Sequence, residues 1–389
     1  MNASHHPSTS PIVIIGSGLA GYTLIREIRK LDTETPITLV TREPGYFYSK
    51  PMLSTALANQ KEAHQLISTN HDGMAAQLNI QILEKTEVNS IDTAAQIIGT
   101  TQGNLPYGKL VLALGADQIR LPLKGSAAHE VLTVNNLEDY AAFRVAISGK
   151  KKVAILGAGL IGCEFANDLT LGSYEVSVID LAPQALGRLL PDQAAQQLHS
   201  KLGEAGVIWH FGTTVQSIDY HEDQLSITLA NGKTLQTDVV LSAVGLRPRL
   251  ELAKAAGLAT NLGIQVNREL QTSAPNVYSL GDCAEVEGLV LPYVMPIMQS
   301  ARALANTLLG KNTSLTYPAM PVMVKTPALA TVVSPPPKDS IGEWKIKPTE
   351  GGMEARFESN DGKLLGFALM GVATSQRAAL SKELPPILP

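Results

Sequence analysis

The chain has 389 residues, enough for two or three domains with substantial cores; 44% hydrophobic and 17% charged residues suit a globular α/β protein and exclude a disordered or fibrous one. A formal charge of −4 without a Lys/Arg block speaks against nucleic acid or an anionic membrane as partner, and no run of about 18 apolar residues is present to span a bilayer. The opening MNASHHPSTS has neither a basic n-region nor an apolar h-region, so it reads as a frayed tail, and a cytoplasmic location is the expectation.

An apolar strand, Ile12 to Ile15, runs into G-x-G-x-x-G at Gly16, Gly18 and Gly21, with Ser17, Leu19 and Ala20 between them. The first glycine allows a tight turn, the second lets backbone approach a pyrophosphate, and the third lets the following helix pack on the strand. That helix is expected from Leu19 to about Lys30, and DTETP turns the chain into a strand from Ile37 to Val40. An acidic residue normally follows here to take the ribose hydroxyls. Thr41 stands in its place, and Glu43 is the nearest carboxylate.

The pattern returns. VAILGAGLIG ends at Gly162, with Gly157, Gly159 and Gly162 as its glycines and Leu160 and Ile161 inside the motif. TEVNSID (Thr86 to Asp92) is echoed by TTVQSID (Thr213 to Asp219), and LVLALG ending at Gly115 by VVLSAVG ending at Gly245. The offsets are 141 at the first glycine, 127 at the aspartate and 130 at the last glycine, so the first copy carries 14 extra residues between Gly16 and Asp92. The stretch around Tyr46 to Asn70 is their natural place. In the second copy a helix from Leu160 to Leu171 leads to a strand ending at Ile179 and then to Asp180, where the ribose carboxylate belongs. A carboxylate there repels a 2′-phosphate, so this site should prefer NADH to NADPH. Two such modules hold two nucleotides face to face.

Only two cysteines occur, Cys163 and Cys283, 120 residues apart. No local dithiol or thiolate set for zinc or an iron–sulfur cluster is possible, and both read as packing residues. Further on, NVYSLGD is a short apolar strand closed by Gly281 and Asp282, and Pro296 is expected to start an amphipathic helix to about Leu309 with the amides of Ile297 and Met298 free for an anion. The last 70 or so residues read as a small third domain with antiparallel sheet, through VKTPALATVVSPPP and a strand-like Met353 to Leu369, ending in an extended LPPILP.

The order GSGLAG, LVLALGA, GAGLIGCE, VVLSAVGLRPR and NVYSLGDCAE resembles the pyridine nucleotide–disulfide reductase superfamily over about Pro11 to Leu309. Within it, YFYSKPMLST, the VKTPALATVVSPPP stretch, GLRPR and GDCAEVEGL resemble bacterial rubredoxin reductases. The resemblance implies an α/β fold with two Rossmann-like domains plus a small α+β domain: FAD on residues 11–118 with 246–318, NADH on 119–245, and a C-terminal domain from 319 to 389. It implies FAD on Gly16, Gly18 and Gly21 with Asp282 at the ribitol, and NADH on Gly157, Gly159, Gly162 and Asp180. Gly115, Gly245 and Lys325 join the cofactor contacts. Glu164 is either close to the nicotinamide, as in relatives, or a first-turn acid that favours the helix dipole.

One departure matters most. Where disulfide-using members carry reactive cysteines, this chain has Ser49, Lys50 and Pro51. No thiol can relay electrons there, so reduced flavin must pass them directly to an outside acceptor. The long loop is expected to pack on the flavin, with Lys50 and Pro51 against the ring and Lys50 favouring its anionic reduced form.

The resemblance implies rubredoxin as acceptor, met in a small transient interface, supporting an alkane hydroxylase or a flavodiiron reductase. Rubredoxins are generally acidic, so Lys325, Arg247 and Arg249 are expected to supply a basic patch and raised salt to slow that step. Ferredoxin-reducing relatives carry an Arg and a Lys in the flavin loop where this chain has Lys50 and Thr55, which favours rubredoxin over a [2Fe–2S] ferredoxin. A non-catalytic NADH-responsive flavoprotein is the third reading. Without a shared disulfide site a monomer or weak dimer is expected.

Overall fold

The computed structural model describes residues 11–389; the expected N-terminal tail lies outside the described residues. Ile12–Ile15 is buried on both faces, as an IVII run demands, and pairs in parallel with Ile37–Val40 on one side and Lys109–Leu112 on the other. Gln81–Leu83 extends that sheet at one edge, and Val277–Ser279 returns from far along the chain to complete the other. A second five-stranded sheet repeats the plan around Lys152–Leu156, with Glu175–Asp180 and Val239–Ser242 as parallel neighbours. Each sheet strand feeds the expected helix, Leu19–Arg29 or Leu160–Leu171.

Two passages of chain link these sheets, and they pair with each other. Ala116–Gln118 leaves the first sheet and Leu246–Pro248 comes back, as an antiparallel ribbon in which Ala116 faces Pro248. Arg249 staples it, donating to Asp117 Oδ1 from Nε and Nη2 at 2.8 and 2.5 Å and to the Leu114 carbonyl from Nη1 at 2.8 Å.

The extra residues of the first copy fall mostly where expected. Val40 pairs with Leu83, 43 residues on, whereas the equivalent Ile179 pairs with His210, 31 residues on. Twelve of the fourteen therefore lie in that interval, which holds a small antiparallel neck (Phe47–Tyr48 with Ile67–Thr69) and two 3₁₀ turns, Lys50–Thr55 and Ala63–Leu66.

The third sheet is five-stranded and antiparallel. The stretch read as one strand from Met353 is two, Gly352–Ser359 and Leu364–Met370, turning at Gly362 with φ +80°. The closing LPPILP is extended but tied down, with Leu388 buried and bridged to Tyr317. Among the described residues no helix is long and apolar enough to cross a membrane.

One helix differs from expectation. It runs Val294–Leu308, so Pro296 is its third residue and not its first. Proline is as harmless there as at the start, because the first turn needs no N–H partner. The first turn accordingly offers the amides of Val294, Met295 and Ile297, whereas Met298 comes one residue too late to offer its own.

Candidate active site

The two fingerprints open onto one cavity of about 1870 Å3, well beyond the usual 300–1,000 Å3 for a single ligand. Their glycines show why. A Cβ on Gly16 would stand 2.2 Å from the Ala113 carbonyl oxygen, and one on Gly157 2.7 Å from that of Ala243, with φ of +117° and +106°. Gly21 and Gly162 meet the carbonyl oxygens of Gly16 and Gly157 at 2.0 and 1.9 Å and lie behind the cavity wall, so they pack helix on strand and do not reach a ligand. Gly18 and Gly159 face open space. Each caps its helix in extended conformation without a side-chain partner, which leaves first-turn amides for a pyrophosphate. The donor set thus fits two dinucleotides, with Gly16, Ser17, Gly18, Leu19 and Ala20 lining one end and Gly157, Gly159, Leu160 and Ile161 the other.

The ribose positions differ between the copies. In the second, Asp180 accepts from the Ala158 amide at 2.5 Å and the Ala182 amide at 2.7 Å, at the cavity rim. In the first, Thr41 is buried and shares a 2.8 Å hydrogen bond with Ser17, while Glu43 lines the cavity nearby.

Between the two ends lie Lys50, Pro51, Asp282, Glu164, Lys325, Gly115 and Gly245. Lys50 Nζ donates to Asn135 Oδ1 at 2.7 Å. Burial draws its ammonium down and Asp282 opposes this; burial likewise pushes the Asp282 carboxyl up against the pull of Lys50 and Arg249. Glu164, only 1% exposed, is fully partnered: Ser54 Oγ donates at 2.5 Å, Lys325 Nζ stands at 2.6 Å and the Lys325 amide donates at 3.0 Å. Lys325 Nζ also reaches Ser54 Oγ at 2.8 Å and the Pro51 carbonyl. A lysine from the C-terminal region, the inserted loop and the second fingerprint helix meet there in one charged knot.

Residues 10–305 match the family model described as pyridine nucleotide-disulphide oxidoreductase, and residues 314–384 one described as rubredoxin binding C-terminal domain. The chain belongs to the pyridine nucleotide-disulphide oxidoreductase family. It is 48% identical to a rubredoxin-NAD(+) reductase of Alcanivorax borkumensis over 97% of this chain and 100% of that one, and 46% identical to one of Acinetobacter baylyi over 97% and 99%. Its fold is similar to a crystal structure of a ferredoxin reductase for the CYP199A2 system from Rhodopseudomonas palustris, with a TM-score of 0.88, 26% identity, and coverage of 97% of this chain and 96% of that one.

For this member of the family the cavity gathers most of the expected residues, including Ile297, but not Met298, Gly21 or Gly162. Cys163 and Cys283 are fully buried in the cores, away from it. The expected basic patch does not form: Lys325 is paired with Glu164 and Arg249 with Asp117, leaving only Arg247 exposed. The sequence reading missed Asn135, Arg42 and Arg188, which also line the cavity. No motif announces them, although both arginines shortly follow the strand ends that carry Thr41 and Asp180.

Proposed function

We propose that the protein is an FAD-dependent NADH:rubredoxin reductase, acting as a monomer or weak dimer in the cytoplasm, with residues 11–118 and 246–318 forming the FAD domain, 119–245 the NADH domain and 319–389 the acceptor-binding domain. The observation that carries this reading is the position of Lys325. It belongs to the region matched as rubredoxin-binding, yet its ammonium enters the cavity wall beside Glu164 and the flavin loop.

FAD held there would supply hydride acceptance from NADH and one-electron release, chemistry that no side chain offers. The chain's residues bind and orient. Gly18 and Gly159 with their helix amides would hold the two pyrophosphates, Asp180 would take the NADH ribose hydroxyls and reject a 2′-phosphate, and Asp282 would hold the ribitol. Lys50, whose ammonium burial draws down and Asp282 supports only in part, would stand at the ring edge. Glu164, bonded to Ser54 and Lys325, would fix the loop as part of the wall that a nicotinamide meets. With both cysteines buried, the acceptor draws electrons without a protein thiol as relay.

The ferredoxin reductase resemblance at 26% identity supports the alternative of a [2Fe–2S] acceptor, and an NADH-responsive flavoprotein without turnover is a third. Anaerobic mixing of the FAD-loaded protein and NADH with either rubredoxin or a [2Fe–2S] ferredoxin, following each visible band, separates them. Rapid bleaching of rubredoxin alone is expected; bleaching of ferredoxin alone, or of neither, defeats the reading.

A further inference from the structure

The inserted loop of the first module is held at its tip by the second. Its neck stays at home: the Phe47 ring packs edge-on to Tyr22 at 5.7 Å and lies under Arg26 at 3.9 Å. Beyond the neck it is mostly 3₁₀ turns and irregular backbone, whose internal hydrogen bonds are short-range, such as Lys61 amide to Ala56 carbonyl at 2.9 Å, and do not fix it against its surroundings. Apart from Asn135 on Lys50 and Lys325 on Pro51 and Ser54, its polar anchors come from two second-module helices. On Leu160–Leu171, Asp168 accepts from the amides of Leu57 at 3.0 Å and Ala58 at 2.9 Å. On Leu137–Ile147, Arg144 donates to the Lys61 carbonyl at 2.7 Å and pairs with Glu62 at 2.5 Å, and the Tyr140 hydroxyl reaches the same carbonyl at 3.3 Å. Leu53, Ala56 and Leu66 sink into the core that Tyr140, Phe143, Phe165 and Leu169 build. Gly172 leaves room for Leu57, since a Cβ there would come within 2.8 Å of it.

We infer that Asp168 and Arg144 are positioning residues for flavin reduction: by gripping Leu57, Ala58 and Lys61 they set where Lys50 and Pro51 stand in the cavity. The inference rests on the flavin reading above. A buried carboxylate spent on two backbone amides of another module is costly to keep unless that loop must be placed well. Asp168 lies one helical turn beyond Glu164, so one helix face holds the loop at both Ser54 and Leu57.

The test uses the FAD-loaded protein with Asp168→Asn, which takes one acceptor from the two amides, and with Arg144→Gln as the gentler second variant. Amide exchange across Leu57 to Lys61 should quicken about tenfold in either, the order expected for one lost charge-assisted hydrogen bond, with exchange elsewhere unchanged. NADH should then reduce the flavin about tenfold more slowly, NADH affinity should stay within about twofold, and the flavin absorption band should shift, because a loosened loop no longer presents Lys50 in place. Faster loop exchange with unaltered flavin reduction and spectrum would reduce both residues to structural ties and overturn the inference, as would unchanged exchange in both variants. Wild-type protein that binds no FAD, or is not bleached by NADH, instead removes the functional reading and the inference with it.

Discussion

The hydroxyls of Ser17 and Thr41 are 2.8 Å apart, joining the first fingerprint loop to the end of the neighbouring strand. In the second module the same junction is made by Asp180 and the Ala158 amide at 2.5 Å. One copy ties loop to strand with a neutral pair, the other with a carboxylate, although the backbone bond beside it is the same in both, Gly16 amide to Val40 carbonyl at 2.9 Å and Gly157 amide to Ile179 carbonyl at 2.8 Å. The first module thus has no carboxylate where the second has Asp180, and Glu43, two residues on, lines the cavity nearby. Glu43→Gln should weaken FAD retention by about tenfold, one charged hydrogen bond, measured by flavin release on dilution. Thr41→Val, which strands the buried Ser17 hydroxyl, should lower thermal stability by about 1–3 kcal/mol, read from the melting transition.

On the second side Asp180 has to do two things, hold the loop and face the ribose. Asp180→Ser should raise KM for NADH about tenfold and bring NADPH to comparable efficiency, measured as kcat/KM with each nucleotide. An unchanged preference for NADH would show that Asp180 does not carry the selectivity.

The Glu164 and Lys325 pair joins the second fingerprint helix to the third sheet. Lys325→Met leaves a buried carboxylate without its cation, a loss of about 3 kcal/mol, at the low end for buried pairs because the lysine side chain is one-third exposed. The double variant with Glu164→Gln should recover part of this, since removing both charges removes the uncompensated one. Calorimetry of wild type, singles and double closes the cycle.

Burial pushes the Asp168 carboxyl up to about 6, only partly offset by the Leu57 and Ala58 amides, Arg144 and Lys325. A raised carboxyl means that the folded protein binds this proton more tightly than the unfolded chain. The wild type therefore loses stability as pH rises between about 4 and 6, by at most about 3 kcal/mol, and the term is constant above that range. Asp168→Asn is neutral throughout, so the difference in melting temperature between variant and wild type should move in the variant's favour over that window and level off near pH 7. A flat difference would place the Asp168 carboxyl near its ordinary value.

Much of this was legible because the signals are local. Strand Ile37–Val40 and helix Leu160–Leu171 have bounds that an apolar run and a glycine turn define, and the offset between repeats exposed the insertion without any fold. What stayed hidden is long-range and polar. Asp168 meets Leu57 across 111 residues, and Lys325 meets Glu164 across 161, so neither leaves a spacing to recognise. Lys325 was taken for a docking charge because sequence gives sign but not direction. Pro296 misplaced a helix start for a plain reason, since proline fits anywhere in a first turn.

The paired ribbon of Ala116–Gln118 and Leu246–Pro248 limits how the nucleotide modules can move against each other. The chain thus crosses between the modules twice at one place, with both crossings bonded side by side. The first module's loop crosses the same boundary at a second place, where Leu53, Ala56 and Leu66 enter the other module's core. Two separate ties of different kind, a backbone ladder and an apolar plug, therefore set the spacing of the two nucleotide ends.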